Sequence, residues 1–549
     1  MKPSPETSTP GRSRRFFTPK LLLGCLFVVA CLVTLIAIFY TVENWRGNRA
    51  WQRYAREAEA QGDRFDRAAI IPPTVADAEN FAMTPFLAPL FEFLPGTQKW
   101  RDTNRVNQIM EFPRIYTKAN KPDSEDAEVR TNTWVLRFAD VEGWYQAMST
   151  TNTVASDASL IPPAGDSPTA DVATAPVAVA ISRQDAAAGV LKLLAEAEPV
   201  IEELRQAAMR PHARFNIRYD EANPAAVLLP HLAVLRRVTS VLQLRAAALL
   251  HLGRTDDAVR ELELIFRISD SISQEPVLIS HLVRIAQLSL ALQCIGEGLG
   301  GHQWTDSQLT RFQELLQRSD LLAGGHHTMK GERNFFGDIF EYLRTVPNGA
   351  AAFNSIIDSG NSGTYFDWPG VVLWAMPDGW LQLERLNYTR VFQEQMLLII
   401  DVPGRRVNPE TARAAERHVE GIVRVAPLKL ILGHKMFIGL LMPALSKVTQ
   451  RTAMAQTGVD LCRIACGLER YRLAKGEYPE TLASLESDFL PGGLPHDVIT
   501  GKPLIYRRTS ASNYLLYSVG WDGEDQGGQI ALTKNRRGVE SDKGDWVWQ

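Results

Sequence analysis

The residues best suited to chemistry in this chain of 549 residues lie in one short segment near the carboxyl end. Residues 522–528 read DGEDQGG and place carboxylate and amide side chains among glycines. Because Ca²⁺ binds roughly six to eight oxygen ligands on a backbone that turns tightly, this acidic loop is a candidate calcium site. An EF-hand is excluded, because Thr533 stands where that loop needs its final bidentate glutamate. An ordinary glycine-rich turn after a strand is the alternative interpretation.

A second group of reactive side chains surrounds the adjacent pair His326 and His327, which Lys330, Glu332 and Arg333 follow. Histidine beside carboxylate and guanidinium groups can serve acid–base chemistry or bind a metal. Two adjacent histidines on a helix do not face the same metal ion, however, and a solvated junction between a loop and a helix explains the group equally well. Both interpretations stay open.

Short motifs with a known catalytic mechanism are missing from the sequence. It contains no H-E-x-x-H, G-x-S-x-G, Walker A or paired C-x-x-C segment. Carboxylate pairs at helical spacing are inevitable among 62 acidic residues, so no such pair is evidence for hydrolysis. The sequence alone therefore names no catalytic residue and no certain cofactor. It leaves enzyme activity undecided and favours a non-enzymatic protein.

The five cysteines indicate free thiols more than a disulfide scheme. Cys25 and Cys31 lie within an apolar run, and Cys294 stands apart from the others in the middle of the chain. Cys462 and Cys466 are one helical turn apart, which suits one buried helix face. A disulfide or a metal site at these two cysteines is the alternative, although their spacing fits no zinc pattern.

Composition limits the class of protein. The apolar content of 45% and the charged content of 22% are ordinary for a globular chain. The length exceeds the ~250 to 300 residues at which single cores stop growing, so two or more folding units are expected. The formal net charge is −3, whereas a nucleic-acid-binding protein has a basic domain or surface. We therefore expect no nucleic acid partner.

The elements that must position these residues begin with an amino-terminal anchor. Residues 21–40, LLLGCLFVVACLVTLIAIFY, contain no charged side chain, and about 20 apolar residues span the ~30 Å hydrocarbon core of a bilayer. A cleavable signal peptide is the alternative, but its apolar core is shorter and ends at a small-x-small site. We predict a single transmembrane helix, with residues 1–20 as a cytoplasmic tail.

The orientation of this anchor has only a slight charge bias. Five basic residues precede the apolar run, whereas four arginines follow it closely, namely Arg46, Arg49, Arg53 and Arg56. Because basic residues are enriched on the cytoplasmic side, the balance favours a protein of the inner membrane with most of the chain extracytoplasmic or periplasmic.

The region between the anchor and the acidic loop is mainly helical in pattern. Residues 41–150 begin as a charged helix and continue as an irregular juxtamembrane layer cut by prolines. Residues 151–181, rich in Ala, Pro, Ser and Thr, predict a flexible linker or insertion. Residues 182–450 repeat apolar side chains every three or four positions, which is typical of amphipathic helices packed as hairpins or a solenoid.

Two stretches of the helical region carry sharper expectations. Residues 242–266 resemble a tetratricopeptide hairpin, in which Gly253 ends the first helix and Ala258 makes the close contact in the second. Residues 428–445, LKLILGHKMFIGLLMPAL, are an apolar stretch interrupted in its middle by His434 and Lys435. That charged pair favours a buried core helix over a second transmembrane span, which is the alternative.

The carboxyl-terminal residues 455–549 have the pattern of a small α+β domain: a helix, a Tyr-Pro break, a short second helix and a strand pair that closes in the acidic loop. This order resembles the globular domain of type II secretion major pseudopilins. The residues that carry the resemblance are Gly501, Pro503, Leu504, Tyr506, Ser518, Gly520, Asp522, Gly523, Gly527, Gly528, Gly544, Asp545 and Trp546.

The resemblance implies a calcium site, because the closing loop of major pseudopilins holds Ca²⁺. Its ligands in this chain would be Asp522 and Asp545, with Asp525 as an extra ligand. An insertion at residues 529–543 departs from the family pattern, and its basic side chains would weaken a cation site. They are Lys534, Arg536 and Arg537.

A second departure concerns pilus assembly. The residues before the apolar run, RRFFTPK, lack the glycine that pilin processing needs, and the assembly glutamate is missing as well. The resemblance thus implies the domain fold and not a place in a pilus.

The predicted architecture is mainly α: one transmembrane helix, a helical middle and a small α+β pilin-like domain. This layout looks like that of large membrane-anchored envelope proteins of the planctomycete and verrucomicrobial kind. We expect a non-enzymatic envelope protein that binds other envelope proteins or envelope material. The alternatives are an extracytoplasmic enzyme, such as a hydrolase, with its site in the helical middle, and an accessory of a type II secretion or pilus-like system.

Overall fold

The computed structural model is mainly helical, with small sheets near the carboxyl end. It describes residues 19–119, 139–157, 181–221, 223–349, 351–353, 373, 375–442, 445–486, 488–533 and 539–548.

The helices are numbered along the chain. They are α1 (Pro19–Ala60), α2 (Thr103–Met110), α3 (Arg114–Lys118), α4 (Val141–Asp157), α5 (Arg183–Leu193), α6 (Glu198–Ala208), α7 (Pro230–His251), α8 (Thr255–Ser271), α9 (Leu278–Gly300), α10 (Asp306–Arg318), α11 (Leu321–Thr345), α12 (Asp378–Val391), α13 (Pro409–Val423), α14 (Pro427–Leu432), α15 (Met436–Leu441) and α16 (Ser446–Lys475).

The strands are short. They are β1 (Ile400–Asp401), β2 (Arg406–Val407), β3 (Ile505–Ser510), β4 (Asn513–Ser518), β5 (Ile530–Leu532), β6 (Val539–Gly544) and β7 (Trp546–Trp548). β3, β4 and β7 form one antiparallel sheet, while β1 pairs with β2 and β5 with β6. The β5–β6 pair occupies the predicted insertion, of which residues 534–538 lie outside the described part.

The chain folds as two compact units, called here the small unit and the large unit. The small unit combines residues 1–64, 340–387 and 431–435. The large unit contains residues 65–339, 388–430 and 436–549. These units cross the boundaries predicted from the sequence, because distant segments share a core that spacing along the chain does not reveal.

The predicted apolar helix and the charged helix that follows it form one continuous element, α1. Three helices of the described chain are long and apolar enough to cross a membrane: they contain α1, α7 and α9, respectively. The apolar window of α1 has no buried share, whereas 44% and 56% of the windows of α7 and α9 are buried inside the protein. Only for α1 does the apolar surface lack any cover from the protein.

The small unit is held together where α1 leaves its apolar run. Gly47 of α1 and Gly379 at the start of α12 let the two backbones approach: a Cβ added at Gly47 would lie 2.0 Å from the Gly379 carbonyl oxygen. The Asn44 side chain accepts the Gly379 N–H at 2.7 Å. Further along, the Arg385 guanidinium stacks 4.1 Å from the ring centre of Trp51. Two glycines therefore set the distance between these helices.

The large unit is built on a helical hairpin that the sequence predicted. α7 and α8 are joined at Gly253, whose φ of 71° is in the left-handed region that favours glycine. Ala258 of α8 is fully buried, as expected for the close contact. α9 packs on both helices. The hairpin prediction is confirmed, and α7 and α9 are core helices.

The carboxyl-terminal region shares a helix with the rest of the large unit. α16 begins at Ser446, ahead of the predicted domain start at residue 455, and packs along α9 and α10. The predicted strand pair is present as β3 and β4. The predicted buried thiols are also confirmed, since Cys294, Cys462 and Cys466 are buried and free. A helix common to both regions makes the large unit one packed body.

Two predictions differ from the structure or fall outside it. Residues 428–445 do not form one helix: α14 and α15 are separate six-residue helices. Met436, Phe437 and Ile438 are buried as predicted, whereas Leu428 and Leu432 are 64% and 70% exposed. His434, between the two helices, has φ of 53°, which breaks the helix. The predicted linker at residues 151–181 begins within α4, and its residues 158–180 lie outside the described part.

The approach of α1 and α12 generates a first prediction. Gly47→Ala will weaken the small unit by about 1 to 3 kcal/mol or more, because the new methyl group collides with backbone. Amide hydrogen exchange of residues 375–387 in the detergent-solubilised full chain will show it as faster exchange. Gly24→Ala is the matched control on the same helix, since no heavy atom lies within 4 Å of that position. Equal exchange in both variants would contradict the close approach.

Candidate functional site in a charged cleft

A charged cleft opens in the large unit where the ends of several helices meet, and its volume is about 430 Å³. The charged and ring side chains in its wall are Asp270, Arg284, Arg318, Asp320 and His327. Asp270 lies at the end of α8, Arg284 on α9 and Arg318 at the end of α10, while Asp320 and His327 belong to the start of α11. Helix packing thus gathers five functional side chains from four helices.

Arg284 is the most deeply placed of these groups, at 4% exposure. Its Nη1 donates to the Asp320 carbonyl oxygen at 3.2 Å, and its Nη2 lies 3.5 Å from Oδ1 of Asp270. Its Nε has no hydrogen-bond partner in the described part of the chain. Burial lowers the pKa of this guanidinium, but arginine stays charged. A buried cation with an open donor is the central feature of the cleft.

Asp320 is already engaged by other groups. Its Oδ1 accepts the Ala323 N–H at 2.9 Å, as a residue that caps a helix does, and its Oδ2 accepts from Arg405 at 3.1 Å. The second nitrogen of Arg405 lies 3.9 Å from Oδ1 of Asp460. Burial raises the pKa of Asp460 to about 7, although Arg405 opposes the shift. The Asp320 carboxylate is therefore satisfied inside the protein.

Arg318 adds a cation that the protein does not neutralise directly. It is exposed at the end of α10, and its side chain makes no hydrogen bond or ion pair within the described residues, although its charge acts on Asp270 and lowers the pKa of that carboxyl. Asp270 already faces Arg284, and burial raises the pKa of that carboxyl. The wall thus contains two cations and two anions, of which Arg318 has no close partner. The charges of the wall balance, and the Arg318 guanidinium is the cation available to an anion.

His327 contributes a neutral ring. It hydrogen-bonds to the backbone of Gln274, and burial lowers its pKa, with the nearby Lys330 acting in the same direction. Its buried Nε2 has no hydrogen-bond partner among the described residues. A neutral imidazole has one donor and one acceptor nitrogen. His327 thus gives the wall of the cleft a neutral ring whose Nε2 is enclosed.

The floor of the cleft depends on the Gly324–Gly325 pair. A Cβ at Gly324 would lie 3.0 Å from Nη1 of Arg284, and one at Gly325 would lie 2.9 Å from the methyl carbon of Thr452. Below them His281 is fully enclosed, hydrogen-bonds to Thr452 at 3.0 Å, and has its pKa lowered to about 3 by burial. His281 is a neutral core residue, and the glycines make room for it and for Arg284.

The structure separates the residues that the sequence grouped around the two histidines. His327 lines the cleft. Glu332 instead accepts the Leu278 N–H at 2.8 Å and so satisfies the first amide of α9; loss of water around its carboxyl raises its pKa to about 7. Arg333 lies over the Phe65 ring at 4.6 Å. Only one member of the predicted group faces this cavity.

The acidic loop is organised by backbone amides. Asp545 is buried and accepts N–H groups from Gln526 at 3.1 Å, Gly528 at 2.7 Å and Gln529 at 3.2 Å. Burial raises its pKa, and these three hydrogen bonds oppose the shift. Asp545 is thus an acceptor at the centre of the loop.

The other two predicted calcium ligands are also hydrogen-bonded. Oδ2 of Asp522 accepts the Gly544 N–H at 3.0 Å, while Oδ1 of Asp525 accepts the Tyr517 hydroxyl at 2.9 Å. In the described part of the chain, no group of three or more His, Cys, Asp or Glu side chains is arranged to hold a metal. Calcium binding by Asp522, Asp525 and Asp545 stays a prediction.

Sequence reasoning singled out His327 and missed the other members of the cleft. Arg284 and Arg318 are 34 residues apart and stand on different helices, so no short motif contains both. The adjacent Gly324 and Gly325 within a helical pattern were the one available signal, because paired helical glycines mark close packing.

Comparison with known proteins does not identify a related site. No family model matches the chain, and no curated protein or solved structure matches it. The resemblance of the carboxyl-terminal region to pseudopilins stays a prediction.

The buried Asp460 gives the fold a pH dependence. Its pKa is 3.8 in a free chain and about 7 when folded, so between these values the folded state retains a proton that the unfolded state has lost. The free energy of unfolding will therefore fall as pH rises from about 4 to 7, by on the order of a few kcal/mol. Glu332 acts in the same direction.

Urea unfolding of the full chain at pH 5 and pH 8 measures this slope. Asp460→Asn will reduce the slope, because the amide does not titrate. Asp220→Asn, at an exposed aspartate, is the control and will leave it unchanged. A slope that Asp460→Asn does not alter would refute the assignment.

The calcium prediction is tested by titrating the full chain with CaCl₂ while its melting temperature is recorded. A ligand that binds only the folded state at 100 times its Kd stabilises it by about 2.7 kcal/mol. If Asp522 and Asp545 bind calcium, millimolar CaCl₂ will raise the melting temperature and Asp522→Asn will abolish the rise. MgCl₂ is the control, since Mg²⁺ demands a tighter octahedral site. No shift at millimolar calcium would remove the metal interpretation.

Proposed function

We propose that this chain is a membrane-anchored binding protein whose charged cleft holds a small ligand bearing a carboxylate or phosphate group. The observation that carries the proposal is the pair of arginines: Arg284 is buried with an open Nε, and Arg318 beside the same cavity has no ion pair in the described chain. A ligand with an anionic group would satisfy both.

The dimensions and polar groups of the cleft support this ligand class. Small-molecule sites occupy roughly 300 to 1,000 Å³, and the cleft measures about 430 Å³. Guanidinium groups bind carboxylates and phosphates through paired N–H donors. Ser273 and Gln274 also line the cavity and offer hydrogen-bonding groups to the rest of the ligand.

The apolar helix α1 supports a membrane localisation for the protein. The exposed apolar window of α1 spans one bilayer, so we propose a single-pass protein of the inner membrane. The slight excess of basic residues before the span favours an extracytoplasmic position for the cleft. The sequence led us to expect an envelope protein that binds envelope material. The proposal assigns that binding to a specific cavity.

One observation favours an enzyme as the second candidate. Nε2 of His327 lacks a partner within the described residues and belongs to a ring with a lowered pKa, as a general base requires. With Arg284 and Arg318 holding an anionic substrate, the site would suit hydrolysis. A role as accessory of a type II secretion or pilus-like system rests on the carboxyl-terminal resemblance alone.

A binding experiment tests the leading proposal and separates it from the second. Inorganic phosphate, acetate and p-nitrophenyl phosphate will be titrated into the detergent-solubilised chain by calorimetry. We expect binding of at least one probe, weakened about tenfold by Arg318→Gln, because a hydrogen bond to a charged group contributes about 1.5 to 3 kcal/mol. Arg260→Gln, at an arginine with 68% side-chain exposure on α8, is the matched control.

The outcomes divide cleanly. Binding that Arg318→Gln weakens and Arg260→Gln does not, with p-nitrophenyl phosphate recovered intact, supports the binding protein. Release of nitrophenol that His327→Gln abolishes supports the enzyme instead. Probes that bind the chain and the Arg318→Gln variant equally would reject the cleft as the site.

A further inference from the structure

The small unit brings a distant segment of the chain to the end of the apolar run of α1. In this segment, residues 431–435, Nε2 of His434 lies 2.7 Å from Oε1 of Glu43 on α1. The Trp380 indole donates to the Ile431 carbonyl at 2.9 Å, and the Asn387 amide donates to the His434 carbonyl at 2.8 Å. Side chains of α1 and α12 thus hold the segment in place.

The position of Glu43 sets the height of this segment above the bilayer. Glu43 follows Tyr40, the last residue of the apolar run, by three positions, and a helix rises 1.5 Å per residue, so it lies about 5 Å beyond the span. The headgroup layer on each side of a ~30 Å core is about 5 to 7 Å thick. The segment 431–435 therefore lies at the level of the lipid headgroups.

The apolar side chains at this level face outward. Leu432, within the segment 431–435, is 70% exposed. Trp45 of α1 is 64% exposed as well. Tryptophan settles at membrane interfaces, and burying one leucine side chain is favourable by about 1.5 to 3 kcal/mol. An apolar side chain that is unfavourably exposed in water is favourably placed when lipid surrounds it.

Basic side chains accompany them. The Arg46 side chain is 54% exposed, the Arg49 guanidinium lies 5.6 Å from the Trp45 ring centre, and Lys435 belongs to the segment itself. Trp45 lies about 7.5 Å along the helix from Tyr40, so the Arg49 guanidinium, folded back over the Trp45 ring, reaches the outer edge of the headgroup layer. Arg56, by contrast, lies about 24 Å along the helix from Tyr40, well beyond that layer. The cations nearest the span can reach lipid phosphates.

We propose that residues 431–435 and the first turns of α1 beyond Tyr40 form a lipid contact, in which Leu432 enters the boundary between headgroups and acyl chains and Arg46, Arg49 and Lys435 bind the phosphates of anionic phospholipids. The proposal rests on the proposed anchoring by α1. It also gives the arginines after the span a role other than setting orientation. The occupant is the surface of the bilayer that α1 crosses.

Spin labels on the full chain test this contact, after Cys25→Ser and Cys31→Ser remove the exposed thiols. A label at Leu432→Cys is compared with labels at Leu32→Cys, within the apolar run, and Glu59→Cys, at the far end of α1. The chain is reconstituted in phosphatidylcholine–phosphatidylglycerol vesicles. Collisions with oxygen report lipid, and collisions with a water-soluble nickel chelate report solvent.

We expect the Leu432 label to meet the nickel chelate about threefold less often than the Glu59 label, since an interfacial group lies about 5 to 10 Å deep. In chains carrying Arg49→Gln and Lys435→Gln this protection will fall towards that in phosphatidylcholine alone. Arg56→Gln is the matched control on α1 and will change nothing.

Each negative result would refute a different part of the proposal. A Leu32 label open to the nickel chelate would overturn the anchoring and this contact with it. A Leu32 label in lipid, with the Leu432 label as exposed as that at Glu59, would overturn the contact and leave the anchoring intact. Protection at Leu432 that is independent of both anionic lipid and the charge variants would overturn the phosphate binding.

Discussion

The burial of one guanidinium constrains the large unit more than any other interaction. Arg284 is removed from water inside helix packing, and a buried cation without acceptors would cost several kcal/mol. Asp270 and the carbonyl of Asp320 supply acceptors, and Gly324 keeps α11 close enough to provide them. Parts of α8, α9 and α11 thus meet around one buried cation, whose Nε is left without a partner among the described residues.

The small unit depends on a different constraint: the surroundings of α1 must suit the polarity of each part of that helix. One continuous helix passes from an uncovered apolar run to a section where Glu43, Asn44 and Gly47 are bound by protein. The described part of the protein leaves the apolar window of this run uncovered, as suits a helix that spans a membrane. Residues 431–435 are attached to the same helix just beyond that run, through the contact of His434 with Glu43.

The sequence anticipated the parts of the fold that depend on local pattern. The resemblance of residues 242–266 to a tetratricopeptide hairpin predicted α7 and α8 with the turn at Gly253 and the buried Ala258, and the segment order near the carboxyl end predicted the β3–β4 pair. Pattern was right in part at residues 428–445, where Met436, Phe437 and Ile438 are buried as predicted but the chain breaks at His434 and does not form one helix. Leu428 and Leu432 are exposed there, because hydropathy reports what a side chain prefers and not which medium surrounds it.

The candidate site divides in the same way. The sequence by itself determined that the chain has an apolar helix of membrane-spanning length, a helical middle, and a histidine, His327, worth attention. Only the tertiary structure decided that His327 shares a cavity with Arg284 and Arg318, that Glu332 does not, and that amides surround Asp545. The physical reason is that a functional group acts through distances of about 3 Å, whereas its partners stand on other helices, and helix packing alone sets those distances.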